Sequence, residues 1–291
     1  MTPLVAVAVL VSALTHASWN AIAHSMKDQL VACTLIAGGA TVLGAVVACF
    51  APLPDAAAWP YLIVSALLHV GYLLLLMRSF SLGDFGQMYP IARGTAPLVV
   101  TLLAAVFVGE SLDVWQATGV AVASVGLLGL ALWGIRGSYG GRTGVPRTGP
   151  DWSALLAALA TGLSIALYTV VDGVGVRNAG SPVGYIAWLM MLEGLLIPAY
   201  ALYTRRALLL TQLRPHAFLG LLGAALSMLA YGLVLWAQTR APLAPVAALR
   251  ESSVIVGAAI GTVFFKERFG TPRIAAAGLM VVGIGLMLLA N

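Results

Sequence analysis

Apolar stretches of about twenty residues recur from one end of this chain to the other, and that recurrence restricts the fold more than any motif does. A helix rising 1.5 Å per residue needs about 20 apolar residues to cross the ~30 Å hydrocarbon core of a bilayer. Ten such segments are legible, at 3–23, 30–50, 59–79, 85–108, 114–135, 152–173, 183–203, 215–237, 242–265 and 271–290. Only 9% of the 291 residues are charged, against roughly 25% in a soluble domain. The sequence therefore predicts an all-α integral membrane protein with ten transmembrane helices. Cys33 and Cys49 share one apolar segment and point to neither a disulfide framework nor a metal site. No GxxxxGKS or GxxxxGKT loop occurs, so ATP hydrolysis is not expected; no cofactor is expected either. The N-terminus "MTPLVAVAVL" has no basic n-region, and the first segment is read as a retained helix rather than a signal peptide.

The connections are short except for "RGSYGGRTGVPRTGPD" at 136–151, a Gly/Pro-rich linker between two sets of five spans. The halves repeat weakly. A shift of 157 places Arg93 on Arg250, Glu110 on Glu267 and Gly126 on Gly283, and a shift of 149 pairs Trp19 with Tyr168. Five is an odd number, so the second copy must enter the membrane inverted. Charge agrees: of the 15 Lys and Arg residues, eleven fall in segments that share one side, including Lys27, Arg78, Arg205, Arg206 and Arg214. The other side holds Arg177 and Arg240, and the last two, Arg93 and Arg250, lie inside spans. Basic residues collect on the cytoplasmic side. This puts the linker in the cytoplasm and both termini in the periplasm, and it accounts for the net charge of +5 without nucleic acid. The organisation expected is 1–135 as the first unit, 136–151 as the linker and 152–291 as the second unit. Inverted repeats are a transporter signature, with the site where the repeats meet.

Ten spans, duplicated five-span units and a Glu closing the fourth and ninth helices resemble the EamA family of the drug/metabolite transporter superfamily. The segments "ALTHASWNAIAHSMKD" (13–28) and "MYPIARGTAPLVV" with "GESL" (88–100, 109–112) resemble a bacterial branch, some of whose members are associated with phosphonate utilisation. The resemblance implies a multi-pass protein of the bacterial inner membrane with a central cavity between the halves and alternating access without ATP. Export of metabolites is the commonest activity it implies. The partners expected are the lipid bilayer and a small-molecule substrate, with the chain monomeric or dimeric.

The candidate site residues are the polar ones that the spans tolerate. Arg93 and Arg250 lie near mid-membrane, where an Arg costs about 2.5–3.5 kcal/mol on insertion scales. Two readings compete: a planar fork gripping a carboxylate or phosphonate, or a brace on backbone carbonyls freed by Pro90, Pro97, Pro242 and Pro245. Glu193 and Asp172 are counter-ion or proton-carrier candidates, with Asp172 read as interfacial and pairing with Arg177. Glu251 lies beside Arg250 but points about 100° away from it on a helix. Span one presents Ser12, His16, Trp19 and Asn20, and span six presents Thr161, Ser164, Tyr168 and Asp172, stripes that face a protein interior or merely glue helices together. His69 and Tyr72 in span three, Tyr231 in span eight and Tyr89, one turn before Arg93, complete the set. Trp59, Trp115 and Trp152 read as membrane-interface anchors, and the runs "GVAVASVGLLG" and "GLMVVGIG" as close helix packing.

These residues point to a secondary transporter of a small anionic or zwitterionic metabolite, such as an amino acid or organic acid. The alternative is an exporter of hydrophobic or cationic drugs, with the aromatic residues as its binding faces. An intramembrane enzyme would rest on the pair Ser12 and His16 alone, which has no orienting acid beside it.

Overall fold

The computed structural model describes residues 1–82, 85–137, 152–206, 208–265 and 271–289. The elements among them are all helical: α1 (Pro3–Ser25), α2 (Gln29–Ala48), α3 (Trp59–Leu82), α4 (Phe85–Leu103), α5 (Val114–Gly137), α6 (Trp152–Arg177), α7 (Pro182–Gly194), α8 (Leu196–Arg205), α9 (Leu208–Leu213), α10 (Ala217–Gln238), α11 (Leu243–Arg250), α12 (Ser253–Phe265) and α13 (Thr271–Leu289). A π-helical turn, Ala104–Val108, prolongs α4, and short 3₁₀ turns precede α3 and α10. Local signals set several of the starts. The Asp28 side chain accepts from the backbone N–H groups of Leu30 and Val31 to cap α2, and Ser181 caps α7 ahead of Pro182. The linker is outside the described residues from 138 onward.

Seven stretches among the described residues are long and apolar enough to cross a membrane: Pro3–Ser25, Leu30–Ala48, Ala56–Leu76, Ile91–Val108, Trp152–Arg177, Pro182–Arg205 and Thr211–Gln238. Two further apolar helices, Val114–Gly129 and Ile274–Leu289, are shorter. Large apolar side chains face outward around the bundle, with Leu67 66% and Leu102 66% exposed, as befits a surface solvated by lipid.

The expected seventh and ninth spans are not continuous helices. The seventh changes direction at Leu195, where Pro198 lacks the N–H that would bond the Gly194 carbonyl. The ninth is interrupted at Glu251 and Ser252, whose N–H groups bond three residues back, to Ala248 and Leu249, in a tightened turn. Broken helices of this kind are tolerated at membrane depth only where protein or water surrounds the freed backbone.

Small residues allow the helices to approach closely. α5 packs along α13, and there the Gly283 carbonyl lies 2.5 Å from where a Gly119 Cβ would stand, the Gly119 carbonyl 2.6 Å from where a Gly283 Cβ would stand. The two glycine runs thus do what their sequence predicts. Elsewhere α1 packs on α10, α3 on α6, α2 on α7 and α4 on α6, while α11 and α12 lie against α1. α1, α4, α6, α10, α11 and the start of α12 therefore surround the interior in which the charged residues sit.

Candidate functional site

Two polar clusters occupy that interior. The first is cationic. Arg93, 3% exposed on α4, reaches across to the broken ninth segment: its Nε lies 2.6 Å from Glu251 Oε2, and its Nη2 donates to Ser253 Oγ at 3.0 Å. Arg250, 4% exposed, ends α11, and its Nε is 3.9 Å from the other Glu251 oxygen, too far for a hydrogen bond. One carboxylate thus serves two guanidinium groups unequally. The partners described for Arg93 are both side chains of the ninth segment. His16 lies within electrostatic reach of both arginines and meets Trp19 edge-on at 5.2 Å.

The second cluster is acidic and aromatic. Asp172 is fully buried and accepts hydrogen bonds from Tyr185 (2.9 Å) and Tyr231. The pairing with Arg177 expected for Asp172 is therefore wrong. Five residues along a helix turn a side chain by about 140°, so the two face different neighbours. Arg177 instead bonds Glu110 at 2.7 Å and the carbonyls of Gln238 and Ala241. Glu110 also accepts from Leu243 N at 2.7 Å, closing a clasp over the ends of α6, α10 and the α4–α5 turn, which Gly109 makes possible at φ 72°. A separate clasp joins the two halves elsewhere: Arg205 at the end of α8 bonds Asp28 and Gln212.

His69 stacks on Tyr168 at 4.1 Å and 27°, meets Tyr231 edge-on at 5.7 Å, and has Nδ1 3.4 Å from Glu193 Oε2. Tyr72 abuts Tyr168 at 5.7 Å. Tyr168, one face to His69, lies within reach of Arg250 and so joins the two clusters. Glu193 sits at the end of α7 beside the bend, not in the middle of a continuous helix.

Most of the candidates are thus brought together: Arg93, Arg250, Glu251, His16 and Trp19 in one cluster; His69, Tyr72, Tyr168, Tyr231, Asp172 and Glu193 in the other. Asn20 turns its amide back to the His16 carbonyl at 2.8 Å, and Ser12 donates to the Ala230 carbonyl at 2.7 Å, so both act as helix glue in this state. Thr161 likewise bonds its own helix, at Ala157 O. The Tyr89 side chain lies outside the described residues. Sequence reasoning missed Tyr185, Ser65 and Ser253. Ser65 had a signal, its spacing of four from His69. Tyr185 stands three residues after Pro182, where an aromatic reads as an interface anchor.

An interior of ion pairs and hydroxyl-bound carboxylate, wrapped by outward-facing apolar helices, defines a polytopic membrane protein with charge held inside its bundle. Residues 152–289 match the family model described as the EamA-like transporter family, a family of membrane transporters. A solved structure described as "Crystal structure of protein" shares the fold over the full length, with 17% identity, a TM-score of 0.67 and coverage of 99% of this chain and 98% of that one. No curated protein matches.

Proposed function

We propose that the chain is a secondary transporter of small anionic or zwitterionic metabolites, such as amino acids, organic acids or phosphonates, working as an exporter by alternating access. Ten spans form two inverted five-span units, 1–135 and 152–291, with both termini periplasmic in the bacterial inner membrane. The helix pairings support the inversion. Exchanging each span for its counterpart five spans on turns the α1–α10 contact into the α6–α3 contact and leaves α2–α7 and α5–α13 unchanged. In that arrangement the Glu110–Arg177 and Asp28–Arg205 clasps stand at opposite faces.

The observation that carries the reading is the unequal sharing of Glu251. Arg93 has a carboxylate at 2.6 Å, whereas the carboxylate described nearest Arg250 lies at 3.9 Å, with Tyr168 as the hydrogen-bonding neighbour of that arginine. A desolvated charge without a close carboxylate is costly, so an incoming carboxylate or phosphonate gains most at Arg250, whose Nε has no hydrogen-bond partner among the described residues. The break beside Arg250 is the kind of discontinuity that transporters place at their binding sites. The experiment is uptake into proteoliposomes of a labelled amino acid, a dicarboxylate, an alkylphosphonate and a lipophilic cation. Saturable movement of one of the first three is expected; movement of the cation alone would reject the anionic reading.

That second outcome has its own support. Tyr168, Tyr231, Tyr72 and His69 form an aromatic wall next to Asp172 and Glu193, a setting that attracts cations. A zwitterion would use both clusters.

A further inference from the structure

We propose, resting on the reading of the chain as an alternating-access carrier, that Glu110 and Arg177 form a gate latch. Their bond shuts the interior at the end where α4 and α6 finish, and its release opens a path from that end to Arg250.

Glu110 belongs to the first unit, and the partners described for it belong to the second. One of its oxygens meets Arg177 Nη2 at 2.7 Å, and the other accepts from the Leu243 N–H at 2.7 Å. Arg177 also donates from Nε to the Gln238 carbonyl at 2.8 Å and from Nη2 to the Ala241 carbonyl at 3.1 Å. A single carboxylate thereby ties the α4–α5 turn to the ends of α6 and α10 and to the start of α11. Those are helices that surround the interior, so the clasp lies across one end of it. The Glu110 and Arg177 side chains are 13% and 29% exposed. Water can therefore compete for the bond, and its opening strands no deeply buried charge.

Beneath the clasp lies an apolar layer. Along α4 and the turn after it the order is Arg93, Val100, Ala104, Glu110; along α6 it is Tyr168, Val170, Arg177. On α11, Leu243 and Ala247 stand between the clasp and Arg250. Val100, Ala104, Val170, Leu243 and Ala247 pack in one buried cluster, the kind of apolar constriction that excludes water and ions until it parts.

The opposite end is built differently. α1 begins at the clasp end, where Val5 and Val9 pack on Val234 and Ala237 near the end of α10. Its buried residues run from Val5 to Ala17, and none of residues 18–25 is buried. Charge tells the same story. The shift of 149 that pairs Trp19 with Tyr168 sets Asp28 on Arg177, and the shift of 157 sets Glu110 on Glu267. The pair that repeats the latch is thus Asp28 with Glu267, two acids between which no salt bridge can form. Asp28 instead bonds Arg205, joining α2 to α8, and neither of these is among the helices around the interior.

The test uses the full-length protein in lipid nanodiscs, with the exposed Cys33 and Cys49 replaced by alanine so that one introduced thiol reports on one end. Val170→Cys reports on the layer under the clasp, and Asn20→Cys on the opposite end of the interior. Each is labelled with a water-soluble maleimide, with and without Glu110→Ala. The expected result is labelling at position 170 about tenfold faster once the latch is removed, and slower labelling at position 20 as that end closes. Asp28→Asn should leave both rates where they were. Should Glu110→Ala not fold, Glu110→Gln removes the charge while keeping an oxygen for the Leu243 N–H, and the same changes are expected in smaller measure. A rate at position 170 that neither variant alters overturns the proposal. So does an equal acceleration at both positions, which is loosening of the whole bundle rather than the opening of one end. No transported molecule enters the measurement, so its outcome stands apart from the fate of the anionic-substrate reading.

Discussion

Arg93 and Arg250 occupy matching positions in the two halves of the chain, yet their surroundings differ. The residue after Arg93 is Gly94, whose missing side chain makes room for Leu127: a Cβ there would come within 2.8 Å of the Leu127 Cβ. The residue after Arg250 is Glu251, and the helix is interrupted beneath it. Both partners described for Arg93, Glu251 and Ser253, come from the second half. Two arginines that a shift of 157 superposes thus differ in their described partners: Arg93 has the Glu251 carboxylate at 2.6 Å, and Arg250 has it at 3.9 Å. The neighbours, not the position in the sequence, set the contacts.

The largest effect should come from breaking the tie. Glu251→Ala leaves Arg93 buried without its carboxylate, and unfolding in detergent or nanodiscs should show a loss of about 3–5 kcal/mol. A smaller loss, within about 1 kcal/mol, would mean that water or another group already shares the Arg93 charge. The smallest effect lies at the Asp28–Arg205 clasp, where the two side chains are 42% and 27% exposed. The hydrogen bond from Arg205, aided by the Val31 and Leu30 N–H groups, holds the Asp28 carboxyl below its ordinary range. That stability is fully present above the unfolded value of about 3.9 and is lost as pH falls through the lowered folded value. Asp28→Asn should therefore lower stability near neutral pH by under about 1 kcal/mol beyond the lost N-cap, and the difference from the unmodified protein should vanish as pH falls below about 4.

Much of the site was legible because charge is rare in lipid. Arg93, Arg250, Glu193 and Asp172 stand out from their spans by residue type alone, and the glycine runs announced close helix packing, though not which helices meet. What failed was partner assignment. Asp172 was matched to Arg177 because the two are close in sequence, whereas helix rotation turns them apart and the next helix supplies Tyr185. The Arg93–Glu251 pair joins residues 158 positions apart (251 − 93), and no local pattern carries such a contact. The break at Glu251 and Ser252 was equally hidden, since its sequence holds neither proline nor glycine. The bend at Leu195 did have its proline, three residues on.

The most direct test is anion binding by the two arginine variants side by side, measured by calorimetry on purified protein with whichever anion the liposomes transport. Arg250→Gln should weaken binding by about tenfold or more, the worth of a charged hydrogen bond, with an unfolding midpoint close to that of the unmodified protein. Arg93→Gln should lower the midpoint instead, by stranding Glu251. Equal losses of affinity in two equally stable variants would contradict the division of labour between the two arginines, and binding untouched by Arg250→Gln would remove it altogether.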